Sequence, residues 1–150
     1  MASLEKEIKQ SKFESEQVKA NLNLLFTANW LYNKISAELK PFNLTHEQYN
    51  ILRILKGSHP NSMNQKDILC RMLAPNSNVT LIIKKLVAKK FISVVQSDHD
   101  KREYKIDITP AGLGILKEIE ATLKNLNEYF DSLSTSEAFH LNALLDKLRG

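Results

Sequence analysis

Met63-Asn64-Gln65-Lys66-Asp67-Ile68-Leu69-Cys70-Arg71-Met72-Leu73-Ala74-Pro75-Asn76-Ser77-Asn78-Val79-Thr80-Leu81-Ile82-Ile83-Lys84-Lys85-Leu86 contains two helix starts separated by a short polar turn. Asn64 is suited to cap the first helix, Asp67 favours its positive N-terminal end, and Met63 with Ile68 has the spacing of a hydrophobic staple. This helix is expected to end near Leu73. A second helix is expected from Ser77 to Lys90, with Val79, Ile82, Ile83 and Leu86 turned inward and Ser77, Asn78, Thr80, Leu81, Lys84 and Lys85 left outside. Two short helices joined by a tight turn form a helix-turn-helix.

The flanking segments extend the pattern in both directions. Downstream the period changes to two: Phe91 to Gln96 reads as a strand, and Tyr104, Ile106 and Ile108 alternate with Lys105 and Asp107. The polar turn Ser97-Asp98-His99-Asp100-Lys101 makes these a hairpin with a charged tip, which in this order is a wing. Thr109-Pro110 opens a helix expected to continue through Leu116, Ile119, Leu123, Leu126 and Phe130. The capping box Ser134-Thr135-Ser136-Glu137 starts a last helix bearing Leu141, Leu144, Leu145 and Leu148. Upstream, Thr45 and Gln48 form another capping box, stapled by Leu44 and Tyr49, for a helix carrying Ile51, Leu52 and Leu55 until Gly57 and Pro60. From Leu4 to Lys40 the apolar spacing predicts one long helix ended by Pro41. The expected fold is mainly α with a small β-hairpin wing. One domain covers 1–150, in which 42–109 is the winged helix-turn-helix and 1–41 with 110–150 is a helical module. The apolar stripes of that module exceed what one small monomer can cover, so a homodimer is expected.

Composition narrows the function classes. The 150 residues are 43% hydrophobic and 25% charged, values ordinary for a globular chain. No apolar run reaches a membrane-spanning length, and the charged N-terminus does not resemble a secretory signal, so a cytoplasmic protein away from the membrane is expected. Cys70 is the sole cysteine, and His46, His59, His99 and His140 are dispersed, so neither a disulfide nor a metal site is expected. Four glycines, Gly57, Gly112, Gly114 and Gly150, make no phosphate-binding loop, and no nucleophile motif accompanies them; an enzyme and a bound cofactor are not expected. The net charge of +4 is concentrated. Between Asn76 and Lys105 seven cations (Lys84, Lys85, Lys89, Lys90, Lys101, Arg102, Lys105) face three anions (Asp98, Asp100, Glu103), so this segment carries the whole surplus. A phosphate-binding face has this distribution.

Four segments in this order resemble the MarR family of bacterial regulators over nearly the whole chain: Leu44 to Leu52, the helix start Asn64 to Ile68, the helix Asn78 to Leu86, and Asp100-Lys101-Arg102 followed by Ile106 to Gly112. The resemblance implies a triangular homodimer whose recognition helices enter successive major grooves of a pseudo-palindromic operator. It also places Asp100 and Arg102 on a D-x-R wing signature, where the Arg reaches toward the minor groove and the Asp holds the wing. Three positions depart from the family pattern: Leu81 stands where many members carry Arg or a polar residue, Pro75 lies near the usual cap, and Phe91 replaces a common Gly.

The candidate DNA-binding residues follow from groove chemistry. Asn76, Ser77, Asn78 and Thr80 offer short polar groups to base edges, and Leu81 either touches a thymine methyl or packs locally. Lys84, Lys85 and Lys101 suit phosphates, while Arg102 suits a narrow minor groove or an ion pair with Asp98 or Asp100. Trp30, Tyr32, Phe42 and Tyr49 mark either core aromatics or a pocket for a small-molecule effector. Cys70 reads as an ordinary thiol. The function expected is a sequence-specific regulator of transcription on double-stranded DNA, acting as a repressor. The alternatives are an architectural DNA binder and a winged-helix protein-interaction module.

Overall fold

The computed structural model describes residues 3–74, 77–97, 103–123 and 130–150. Of the expected site residues, Asn76, Asp100, Lys101 and Arg102 lie outside the described residues. The elements run α1 (Leu4–Glu7), α2 (Glu16–Leu39), a single 3-10 turn (Lys40–Phe42), α3 (His46–Ser58), α4 (Gln65–Arg71), α5 (Val79–Ala88), β1 (Ile92–Gln96), β2 (Tyr104–Ile108), α6 (Pro110–Thr122) and α7 (Thr135–Arg149).

Helix α3 is the hub, because it alone packs against α2, α4, α5, β2 and α6. Its inner face supplies Ile51, Leu52 and Leu55. These meet Leu39 of α2, Ile68 of α4, Leu86 of α5, Ile106 of β2 and Leu116 and Ile119 of α6 in one cluster, and each of these named side chains is less than 2% exposed. Removing a Leu or Ile side chain of this size from water contributes about 1.5–3 kcal/mol. The start of α3 is fixed as its residues dictate: Thr45 Oγ1 accepts the Gln48 N–H and Gln48 Oε1 accepts the Thr45 N–H, both at 3.3 Å. Thr45→Ala should lower folding stability by about 1 kcal/mol, read as a lower urea midpoint at unchanged slope.

The two strands are antiparallel, with Val94 opposite Ile106 and Ile92 opposite Ile108. A further bridge joins them to the helix-turn-helix. Met63 N–H donates to the Ile106 carbonyl at 3.0 Å, and Ile106 N–H donates to the Met63 carbonyl at 2.8 Å. The segment leading into α4 is thereby stitched to β2.

Several boundaries differ from the expected ones. The long N-terminal helix is interrupted: α1 ends at Glu7, Lys9 is left-handed (φ 54°), and α2 restarts at Glu16. The restart follows from Ser15, whose extended backbone lets Oγ accept the Val18 N–H at 3.2 Å, a local bond that a continuous helix would not use. Lys19 reaches back to Glu5 at 2.6 Å and ties α1 to α2; this pairing holds the Glu5 carboxyl down at about 2. Helix α6 ends at Thr122, and Phe130, expected within it, lies in a turn. Gly57 sits inside α3, which closes at Ser58.

The terminal helices leave apolar surface uncovered within one chain. Leu39 is the one buried residue of the 24-residue α2, and α7 buries none of its residues. Phe139, Leu144 and Leu148 are 70%, 65% and 69% exposed.

Candidate nucleic-acid interface

Helix α5 carries the site. Its sequence VTLIIKKLVA turns Val79, Ile83 and Leu86 into the core and leaves Thr80, Leu81, Lys84 and Lys85 exposed on the other side. The helix begins at Val79 rather than Ser77. Asn78 is its cap, and Oδ1 accepts the Leu81 N–H at 3.1 Å. That bond occupies the acceptor of a side chain expected to read bases, leaving its amide donors. Ser77 is half-buried before the cap.

The other end of α5 closes in a Schellman arrangement. Phe91 N–H donates to the Leu86 carbonyl at 3.1 Å, Lys90 N–H to the Val87 carbonyl at 2.8 Å, and Lys90 takes the left-handed conformation (φ 63°). The position that favours glycine is thus Lys90, not Phe91. Lys89 caps the helix and donates through Nζ to the Asn43 carbonyl and, at 3.4 Å, to Gln48 Oε1. Burial, with Lys85 nearby, pulls the Lys89 ammonium below its ordinary value. Lys89 is therefore a tether between α5 and the start of α3, although the sequence presents it as one more surface cation.

Among the described residues the ion pairs are Lys19–Glu5, Lys56–Glu120 and Arg149–Asp146, so neither Lys84 nor Lys85 is neutralised by an acidic side chain described here. Their charges face solvent on the same side as Thr80 and Leu81. Leu81 is 47% exposed. Toward the hairpin, a groove of about 570 Å³ runs between α4, α5 and the strands, with Gln65, Thr80, Lys84, Val94, Tyr104 and Ile106 among its lining residues. Gln65 was not anticipated from the sequence: its Nε2 donates to Thr80 Oγ1 at 2.7 Å. Beyond the paired strands, Ser97 N–H donates to the Glu103 carbonyl at 2.9 Å.

The four aromatic residues considered for an effector occupy the α2–α3 junction. Tyr32 stacks on His46 with ring centroids 4.0 Å apart and 7° between planes, and His46 Nε2 lies 2.9 Å from the Tyr32 carbonyl oxygen. Tyr49 and Phe42 are half-buried against the core, Tyr49 accepting from Arg53 at 3.2 Å, and Trp30 is half-buried on α2. The groove beside α5 and a smaller hollow of about 310 Å³ between α3 and α5 are both lined by other residues.

Comparison with known proteins agrees with this geometry. Residues 44–104 match the family model "MarR family". The uncharacterized HTH-type transcriptional regulator YpoP of Bacillus subtilis strain 168 is 29% identical over 112 residues, covering 74% of this chain and 78% of that protein. The crystal structure of a MarR transcription factor from Planctomyces limnophilus is 28% identical with a TM-score of 0.70, covering 90% of this chain and 98% of that one. A mutant of MarR from E. coli complexed with operator DNA has a TM-score of 0.78 at 17% identity, covering 92% and 99% of the two chains. The family model thus covers the helix-turn-helix and the first strand of the hairpin, and solved structures of MarR-family regulators share the fold over nearly the whole chain, so the protein is similar to that family throughout.

Proposed function

We propose that this protein is a transcriptional regulator that binds double-stranded DNA as a homodimer, repressing genes whose operators are pseudo-palindromic. The observation that carries the reading is the outer side of α5, where Thr80, Leu81, Lys84 and Lys85 are exposed together on a helix held at both ends. A helix fits the major groove, short side chains read base edges there, and lysines neutralise phosphates. The likeness to MarR complexed with operator DNA supports the same use of the fold. Asn76, Ser77 and Asn78 extend the reading face at its N-terminal end. Asp100, Lys101 and Arg102, which in sequence lie between β1 and β2, supply the wing contact.

Dimer formation is supported by the apolar side chains that α2 and α7 leave exposed, including Leu25, Phe139, Leu144 and Leu148. We assign 42–109 to DNA binding and 1–41 with 110–150 to pairing. Their junction carries Trp30, Tyr32, Phe42 and Tyr49, and a small-molecule effector bound there would bias the spacing of the two recognition helices. Among the described residues no helix is long and apolar enough to cross a membrane, and action on chromosomal DNA places the protein in the cytoplasm.

Titration of the purified protein with a duplex selected from random sequence and with its scrambled counterpart, at two salt concentrations, tests this function. The selected duplex should bind at least about a thousandfold more tightly, and both affinities should fall as salt rises. Equal affinities would replace the regulator by an architectural DNA binder. Absence of binding at low salt would replace it by a protein-interaction module.

A further inference from the structure

We infer that Gln65, which lies outside the recognition helix, is a positioning residue that fixes how Thr80 presents its hydroxyl to a base; the inference rests on the DNA-binding reading above. Gln65 Nε2 donates to Thr80 Oγ1 at 2.7 Å, across the gap between α4 and α5. Both side chains are exposed at the head of the groove beside the hairpin. Helix α5 starts at Val79, so Thr80 stands in its first turn and has no carbonyl four residues back within the helix to take its hydroxyl proton. Its β-branched side chain has few rotamers, and a bond from Gln65 selects among them.

The consequence is chemical as well as steric. A hydroxyl has one hydrogen to donate and two lone pairs to accept with, and it rotates to suit its neighbours. With a lone pair of Oγ1 engaged by Gln65, the O–H points away from Gln65 and is presented as a donor. Its complements in the major groove are the acceptors of purine N7, guanine O6 or thymine O4, in preference to the amino groups of adenine or cytosine, for which a single lone pair remains. Without Gln65 the hydroxyl is free to turn, and one position of each half-site loses its preference. Lys84, one turn further along α5, has no part in this bond and continues to serve a phosphate.

The test is selection from random duplexes by the full-length wild type, Gln65→Ala, Thr80→Val and the double variant, followed by titration of the selected and scrambled duplexes. Gln65→Ala should broaden one position per half-site and reduce discrimination there about fivefold, the effect of one hydrogen bond, while scrambled-duplex affinity and dimer mass stay unchanged. The double variant should discriminate no worse than Thr80→Val alone. Gln65→Glu, whose carboxylate accepts the Thr80 proton instead of donating, should move the preference at that position toward a base with an amino group. An unchanged motif for Gln65→Ala overturns the inference, as do equal losses on both duplexes, which mark a plain phosphate contact. Additive losses in the double variant overturn it also. A wild type that enriches no motif overturns the regulator reading and this inference together.

Discussion

Gly112→Ala is expected to lower folding stability by about 2–4 kcal/mol, the range of overpacking and backbone displacement at a tight contact. Gly112 lies in the first turn of α6, three residues after the Thr109 cap, whose hydroxyl accepts its N–H. A methyl group there would overlap the Phe91 carbonyl oxygen and come within 2.8 Å of Ile108 Cγ1. That carbonyl is already engaged by the Thr109 N–H at 3.0 Å, and Thr109 Oγ1 donates to the Lys90 carbonyl at 2.7 Å. The end of α5, the start of β1 and the start of α6 therefore meet at one place with no room to yield. Gly114, two residues on, has open space around its α-carbon. Alanine there should be neutral or stabilise by up to about 1 kcal/mol through helix propensity. Urea titration of the two variants gives the contrast, and a Gly112→Ala midpoint equal to wild type would contradict this packing of α6 on the base of the wing.

Neutralising Lys84 and Lys85 together should weaken duplex binding roughly a hundredfold to a thousandfold near 0.1 M salt and flatten its salt dependence. A dimer loses four phosphate contacts in this double alanine variant, so the slope of log affinity against log salt should shrink by about 3 to 4. Selectivity between the selected and scrambled duplexes should change little, because phosphate contacts position the protein without reading sequence. Binding isotherms at three or four salt concentrations measure this. A slope identical to wild type would remove α5 from the electrostatic contact. Thermal stability should be retained, since both side chains are exposed and neither forms an ion pair with an acidic residue described here.

Much of the architecture was legible because its signals are local. The Thr45/Gln48 and Ser134/Glu137 boxes, the Asn64 cap and the Thr109-Pro110 start each depend on residues within three or four positions, and each forms as expected. Alternation in Tyr104 to Ile108 likewise identified a strand, whose Ile106 and Ile108 are buried. The break at Lys9 to Ser15 is hidden from periodicity, because a helix continuous from Leu4 to Lys40 places Ser15 in its interior, where its capacity to cap carries no signal. Contacts between segments distant in the chain were invisible for a different reason. The Met63–Ile106 bridge, the Lys89 tether to Asn43 and the Gln65–Thr80 bond depend on the fold bringing together residues 43, 46 and 15 positions apart, and no periodicity encodes them. At the interface, the exposed row Thr80, Leu81, Lys84 and Lys85 was readable from helical phase. A helix starting at Ser77 has the same apolar phase as one starting at Val79, so phase alone does not mark Asn78 as the cap.

Methylation interference on the selected duplex tests the central claim most directly, since it asks whether two copies of α5 lie in major grooves on one face of DNA. Methyl groups at guanine N7 project into the major groove and should block binding in two clusters about ten base pairs apart, related by the operator's two-fold symmetry. A single cluster, clusters without that spacing, or interference from minor-groove adenine N3 alone would contradict a dimer reading DNA through α5.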